Sequence, residues 1–354
     1  MGRFSCSTEI VTGSAQECLK HLGIRKLLLV ADPYFEGGLA QTLGEASGAE
    51  VTYFFEVEPD PKVTLAAKGA ALVKSLQPDA VVALGGGSAM DLAKSMTWFA
   101  GSDAKLIAIP TTSGSGSEVT DFAILTHEGV KNPLVDSRLK PQMAILDSSL
   151  VEKLPKSLIA DGGFDALTHS LEAYTATDAN GFTDALAAEA FSEVLASLRL
   201  SFLGDLNART RVHTGATMAG LAFTQAGLGL CHAMSHALGG LTHLPHGRLN
   251  AILLPAVMDA NGAACGHRYA QLARKAGLVG QSDTLAQRNL RNCLLRLRRD
   301  LGLPGTLAEA GAHLPPDRDQ LVRAILEDPC CRTNPRPVTA ELVYDLLRQV
   351  AGHG

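Results

Sequence analysis

Four of the chain's eleven histidines fall between Cys231 and Gly247: His232, His236, His243 and His246. His232 and His236 are four apart, the spacing that puts two side chains on one face of a helix. Asp165 and His169 repeat that spacing in Phe164-Asp165-Ala166-Leu167-Thr168-His169. A carboxylate with several neutral imidazoles suits Fe²⁺ or Zn²⁺, and no thiolate is needed. Taken singly, each of these histidines reads as an ordinary core or surface residue; the joint pattern is what points to a metal. Spacing alone leaves open which three histidines bind. His232 and His236 could both be ligands, as in other H-x-x-x-H helices.

A second set of residues suits phosphate and ribose. Gly85-Gly86-Gly87-Ser88 follows the apolar run Ala80 to Leu84 and opens a segment with helical spacing. Glycines let a backbone turn sharply and approach a ligand. A helix N-terminus adds unpaired N–H groups and partial positive charge. Ser88 is placed to cap that helix or to donate to a phosphate. The run is neither a G-x-G-x-x-G nor a Walker pattern, and alone it is equally a tight turn. Pro110-Thr111-Thr112-Ser113-Gly114-Ser115-Gly116-Ser117-Glu118 also follows a strand-like run. Its hydroxyls and glycines suit a cofactor or a plain surface loop. Asp32 ends the first strand-like segment, where a carboxylate can accept from ribose hydroxyls and repel a 2′-phosphate. Its simpler reading is a turn-forming Asp before Pro33.

The elements that must position these residues change character along the chain. Arg25 to Ala31, Val51 to Val57, Ala80 to Leu84 and Leu106 to Ile109 are strand-like. Thr64 to Leu76 and Ser88 to Phe99 have helical spacing. Such alternation predicts a parallel sheet covered on both faces. After about Pro155, long Ala/Leu-rich stretches follow: Gly163 to Thr175, Thr183 to Leu198 and Thr214 to Phe223. The expected fold class is an α/β dinucleotide-binding domain with a Rossmann-like parallel sheet at 1–153, followed by an all-α metal-binding domain at 154–354.

Composition narrows the function classes. The formal net charge of −5 offers no broad electropositive face for nucleic acid. No stretch of about 18 uninterrupted apolar residues marks a membrane span. No basic segment with a long apolar run opens the chain, so a secretory signal is not expected. The seven cysteines are odd in number, scattered, and lack a C-x-x-C pair. That fits reduced thiols in a cytoplasm. Neighbouring Cys330 and Cys331 rarely reach disulfide geometry.

Together the blocks resemble the iron-containing (group III) alcohol dehydrogenases through nearly the whole chain. The markers are Gly85-Gly86-Gly87-Ser88-Ala89-Met90-Asp91, Pro110 to Thr120, Asp165-Ala166-Leu167-Thr168-His169, and Gly227-Leu228-Gly229-Leu230-Cys231-His232 through Pro245-His246-Gly247. The resemblance implies that Asp165, His169, His232 and His246 bind the metal, Fe²⁺ or Zn²⁺. His236 matches a histidine beside the nicotinamide that is not a ligand, and His243 matches no ligand position. The resemblance further implies that Asp32, Gly86, Gly87, Ser88, Thr111, Thr112 and Lys131 line an NAD(H) site. Asp60, in Pro59-Asp60-Pro61, takes another cofactor-side position. Ser115 stands where threonine is more usual, and the hydroxyl is retained. Phe223 and Cys330 match positions near the substrate.

Within that family, Thr224-Gln225-Ala226-Gly227, His243-Leu244-Pro245-His246-Gly247 and Arg332-Thr333-Asn334-Pro335-Arg336-Pro337 look most like the 1-propanol and ethanol dehydrogenases of bacterial microcompartments. The implied activity is interconversion of short-chain primary alcohols and aldehydes, in a cytoplasmic homodimer with microcompartment association. One aspartate and three neutral histidines leave a divalent site at net +1, which favours an anionic substrate oxygen. His236 is placed to relay the proton. Two other readings compete. A dehydroquinate-synthase-like enzyme on a polar or phosphorylated substrate needs several cations near the metal. No lysine occurs from Ser157 to Arg274, and Arg248 alone flanks the second histidine cluster. A non-catalytic metal-binding scaffold has no use for the cofactor positions.

Overall fold

The structure, a computed structural model, describes residues 4–128 and 130–352. The chain divides into two compact units, one spanning Ser5–Leu154 and the other beginning at Pro155 and including Phe4.

The first unit runs β1 (Glu9–Thr12), α1 (Ala15–Lys20), β2 (Lys26–Ala31), α2 (Leu39–Ser47), β3 (Glu50–Phe54), α3 (Val63–Leu76), β4 (Ala80–Gly85), α4 (Gly87–Ala100), β5 (Lys105–Pro110), β6 (Phe122–His127), β7 (Val130–Val135) and β8 (Met143–Leu146). Six strands form one parallel sheet in the order β1-β8-β5-β4-β2-β3. The central strands β2, β4 and β5 are buried nearly end to end. Their continuous apolar runs are what a sheet covered on both faces demands. Strand alternation splits them between two cores. Leu28, Val30, Val81 and Ala83 pack with Met90 and Met96 of α4. Leu27, Leu29, Val82 and Leu84 pack with Leu19 of α1 and Leu43 of α2.

From β2 the chain goes to β3 on one side, then returns to place β4 on the other. The C-terminal ends of β2 and β4 therefore flank a point where strand order reverses, the usual ligand crevice of an open α/β sheet. The expected strand Val51 to Val57 ends at Phe54, because pairing with β2 stops at Val30↔Phe54 and the residues beyond have no ladder to join. β6 and β7 form a separate antiparallel ribbon that periodicity did not announce. Its two strands are short, and Pro133 interrupts the second.

The second unit runs α5 (Lys156–Thr175), α6 (Gly181–Leu203), α7 (Leu206–Ala226), α8 (Leu230–Thr242), α9 (His246–Lys275), α10 (Asp283–Asp300), α11 (Asp319–Glu327) and α12 (Ala340–Ala351). Its described residues contain no strand. Asn180 opens α6 with a capping box, and Asp205 caps α7. Every residue of α5 from Gly163 to Thr175 is buried. A helix buried all round is expected to be apolar, yet α5 carries Asp165, Thr168, His169, Ser170, Glu172 and Thr175 in that stretch. The hydroxyls of Thr168, Ser170 and Thr175 donate to carbonyls one turn back, at 2.7, 2.7 and 3.0 Å. Asp165 and His169 approach each other within the helix at 3.8 Å, and the ionisable groups find their remaining partners on other helices.

Candidate metal centre and cofactor site

Asp165, His169 and Glu172 stand at i, i+4 and i+7 on α5, so they share one side of the helix. His232 and His236 do the same on α8, and His246 opens α9. Asp165 Oδ1 lies 3.5 Å from His246 Nε2, 3.8 Å from His232 Nε2 and 3.8 Å from His169 Nδ1. The donor atoms of Asp165, His232 and His246 lie within 4.8 Å of one another. His169 flanks this trio, stacked on His232 at 4.4 Å and on Phe223 at 4.3 Å between ring centroids.

Neighbouring helices hold the trio. Asn250, one turn after His246, donates from Nδ2 to Asp165 Oδ1 at 2.8 Å. Ser235 Oγ donates to Asn250 Oδ1 at 2.5 Å, which fixes the amide's orientation. The first turn of α9 is pressed onto α5 so closely that a side chain at Gly247 would collide with the Asp161 carbonyl. Arg248 then grips the Asp161 carboxylate through Nε and Nη2, at 3.2 and 3.0 Å. His243 ends α8 in a left-handed conformation, a capping role apart from the trio.

Burial opposes ionisation of Asp165, but the attraction of His169, His246 and His232 outweighs it and holds the carboxyl well below its usual range. Burial likewise disfavours a charged His232, yet its bonds to Asp165 and Glu172 win and lift it to about 9. His246 is driven well below the ordinary histidine value, mainly by burial and with help from the other histidines. One ionised oxygen ringed by imidazole nitrogens, with no thiolate among them, is a donor set that fits Fe²⁺ or Zn²⁺.

His236 sits outside the trio. Its ring stacks on His246 at 5.2 Å, and its side chain is one-third exposed. Nδ1 lies 2.8 Å from Asp328 Oδ2, while Asp328 Oδ1 accepts the Cys330 N–H at 2.8 Å. Burial pushes the Asp328 carboxyl up, but its bond and attraction to His236 prevail and hold it at about 2. Cys330 Sγ comes within 4.8 Å of donor atoms of both. All seven cysteines are free. Glu172, Asn250 and Asp328 escaped the sequence reading. The signals were the i+7 and i+4 positions on ligand-bearing helices, and an Asp-Pro turn.

The cofactor candidates of the first unit gather where strand order reverses. The Asp32 N–H donates to Leu84 O at 3.3 Å, and Thr111 N–H to Gly85 O at 2.9 Å. A Cβ on Gly85 would lie 2.7 Å from Ala89 Cβ and 3.7 Å from Asp32 Cβ. Cβ atoms on Gly86 and Gly87 would meet Thr112 Oγ1 at 3.2 Å and Ser115 Oγ at 3.5 Å. Asp32, the glycine turn, Thr111, Thr112 and Ser115 are thus neighbours. The cap of α4 is Gly86, not Ser88, which lies inside the first turn. Asp32 Oδ1 accepts the Tyr34 N–H at 2.9 Å, so the turn reading of this residue holds. A ribose contact remains compatible with it, because the turn uses one of two carboxylate oxygens. Lys131 on β7 pairs with Asp60 at 2.6 Å.

A buried lysine missed by the sequence reading ties these parts together. Lys94 of α4 donates to Ser117 Oγ, Thr120 Oγ1 and Phe122 O at 3.1, 2.9 and 2.9 Å. Asp91 accepts from Ser117 Oγ and the Ile124 N–H at 2.9 and 3.1 Å. The loop after β5 and the ribbon are thereby pinned to α4.

The profile of the iron-containing alcohol dehydrogenases matches residues 8–148, and that of the C-terminal part of the Fe-containing alcohol dehydrogenase family matches 159–351. The chain belongs to this family. It is 38% identical to 1-propanol dehydrogenase PduQ of Salmonella typhimurium, over 99% of this chain and 100% of that protein. It is 36% identical to an NADPH-dependent butanol dehydrogenase of Clostridium saccharobutylicum, over 96% of each. The solved sulfoacetaldehyde reductase of Bifidobacterium kashiwanohense, in complex with NAD⁺, superposes with a TM-score of 0.90 at 26% identity, covering 100% of both chains. Among the described residues, no helix of this dehydrogenase is long and apolar enough to cross a membrane.

Proposed function

We propose that this chain interconverts short-chain primary alcohols and aldehydes, 1-propanol/propanal and ethanol/acetaldehyde among them, with NAD(H) and a bound Fe²⁺ or Zn²⁺. The observation that carries the reading is the convergence of His232 and His246, flanked by His169, on the buried carboxylate of Asp165. These four residues would hold the ion. Its chemistry when bound is that of a Lewis acid toward the substrate oxygen.

The chain's own groups supply the rest. Phe223, stacked on His169, gives a short carbon chain an apolar wall, with Cys330 as a second candidate neighbour. His236 takes or gives the proton, its ring held by Asp328. Arg248 is committed to Asp161, so it offers no free cation to a phosphorylated substrate. In the first unit Gly86, Gly87, Ser88, Thr111, Thr112 and Ser115 would receive the pyrophosphate and ribose, Asp32 the adenine ribose, and the Asp60–Lys131 pair the remaining cofactor side. Residues 1–153 are then the cofactor domain and 154–354 the metal and substrate domain. The subgroup resemblance extends the proposal to a cytoplasmic homodimer associated with a microcompartment.

The test is protein reconstituted anaerobically with Fe²⁺ and separately with Zn²⁺, assayed on a panel of alcohols and aldehydes with both nicotinamide cofactors. NADH oxidation with propanal is expected. No turnover of any short aldehyde with either metal would overturn the proposal.

A further inference from the structure

Glu172 is buried on α5, one turn beyond His169. Its Oε2 lies 2.6 Å from His232 Nδ1. Oε2 also accepts the Gly229 N–H at 3.0 Å, and Oε1 accepts the Cys231 N–H at 2.7 Å. Gly229 is the N-cap of α8, so one side chain of α5 caps α8 and holds the ring that α8 carries. The fit is tight: a Cβ on Gly229 would lie 2.7 Å from Glu172 Oε1.

We infer that Glu172 is a positioning residue of the metal centre, fixing His232 as the Nδ1–H tautomer with Nε2 toward Asp165 and thereby setting the site's affinity for its ion. The inference rests on the metal reading above. Both carboxylate oxygens already accept backbone N–H groups, so the short contact to Nδ1 is completed by a proton on the ring. In the neutral ring, the form that binds a metal, the lone pair is then on Nε2, the atom nearer Asp165. A ligand imidazole held through its other nitrogen by a carboxylate is more basic and loses less freedom on binding. The count of charge changes too. Asp165 and Glu172 together set two carboxylates against a divalent ion, where the sequence reading counted one.

The experiment is competition for Zn²⁺ between a chelator and the metal-free protein, for wild type, Glu172→Gln and His246→Ala. Glutamine keeps an oxygen for the cap but turns N–H donors toward Nδ1. Its affinity is expected to fall by roughly ten- to a hundredfold, with circular dichroism and NADH binding unchanged. A folded Glu172→Gln protein that binds Zn²⁺ within about twofold of wild type would overturn the inference. Nitrogen NMR of ¹⁵N-histidine-labelled, Zn²⁺-loaded wild type needs no variant to fold. A proton on Nδ1 of His232 is expected, and a proton on Nε2 would overturn the role given to Glu172. If His246→Ala binds Zn²⁺ as tightly as wild type, the placement of the ion fails first, and the inference falls with it.

Discussion

At the scale of single residues, the two histidines of α8 are distinguished by the carboxylate each one meets. His232 faces buried Glu172, whereas His236 faces Asp328 near the surface. Asp328→Asn is expected to keep full metal content and slow turnover by about tenfold or more, because the ring proposed to carry the proton loses its anchor. Metal analysis beside steady-state kinetics checks this. Loss of metal in proportion to activity would make His236 a ligand instead. Asp32 gives a second prediction. A carboxylate facing a 2′-phosphate should cost roughly 1–3 kcal/mol of NADP(H) affinity. The relative from Clostridium is named NADPH-dependent, so membership of the family does not decide the cofactor, and the preference for NAD(H) is predicted from the role proposed for Asp32. Asp32→Gly should narrow the preference, chiefly by improving the NADP constant. Equal efficiency of wild type with NADH and NADPH would remove the role given to Asp32.

The same residues show what a sequence can disclose. Asp165 with His169, and His232 with His236, stand out because i,i+4 pairing of metal-binding types is rare by chance. Glu172 and Asp328 do not stand out. Each is a lone acid whose meaning comes from a histidine 60 or 92 positions away. Gly247 was legible as a marker, but its reason, contact with a backbone carbonyl of another helix, was not.

At the scale of elements, the parallel strands were legible because full burial makes their sequences continuously apolar. The β6–β7 ribbon was not, since its strands are short, β6 is only partly buried and Pro133 interrupts β7. Asp91 and Lys94 both tie the ribbon to α4, and the Lys94 ammonium is pulled down to about 8, chiefly by burial. The sign of the consequence follows from linkage. Between about pH 8 and 10.5 the unfolded chain holds a proton on this lysine that the folded protein has released, so stability gains as pH rises through that window. Below pH 8 both states are protonated and the cost of burying the charge is constant. Against Lys94→Met, wild type should therefore gain relative stability across the window, by up to about 3 kcal/mol. Denaturant unfolding of both proteins at several pH values measures it. A flat difference would show that Lys94 titrates as if exposed.

At the scale of the whole molecule, candidate metal residues and candidate cofactor residues belong to different compact units. His246→Ala should then lose most bound metal and activity and still bind NADH. Metal analysis and NADH fluorescence titration read the two losses separately. Undiminished metal would sink the ligand assignment, and loss of NADH binding alongside metal would show that the units do not keep these tasks apart.

The polar interior of α5 has a consequence for the life of the protein in a cell. A helix that encloses Asp161, Asp165, His169 and Glu172 relies on partners from α8 and α9 and on the ion they would share. Bound ligand stabilises a fold by mass action, so if the proposed site holds its ion, scarcity of metal is expected to loosen this unit first. Limited proteolysis after chelation should open cleavage sites within 155–352 while sparing Ser5–Leu154, and added Zn²⁺ should close them. Iron supply would then govern how long each copy survives as well as how fast it works.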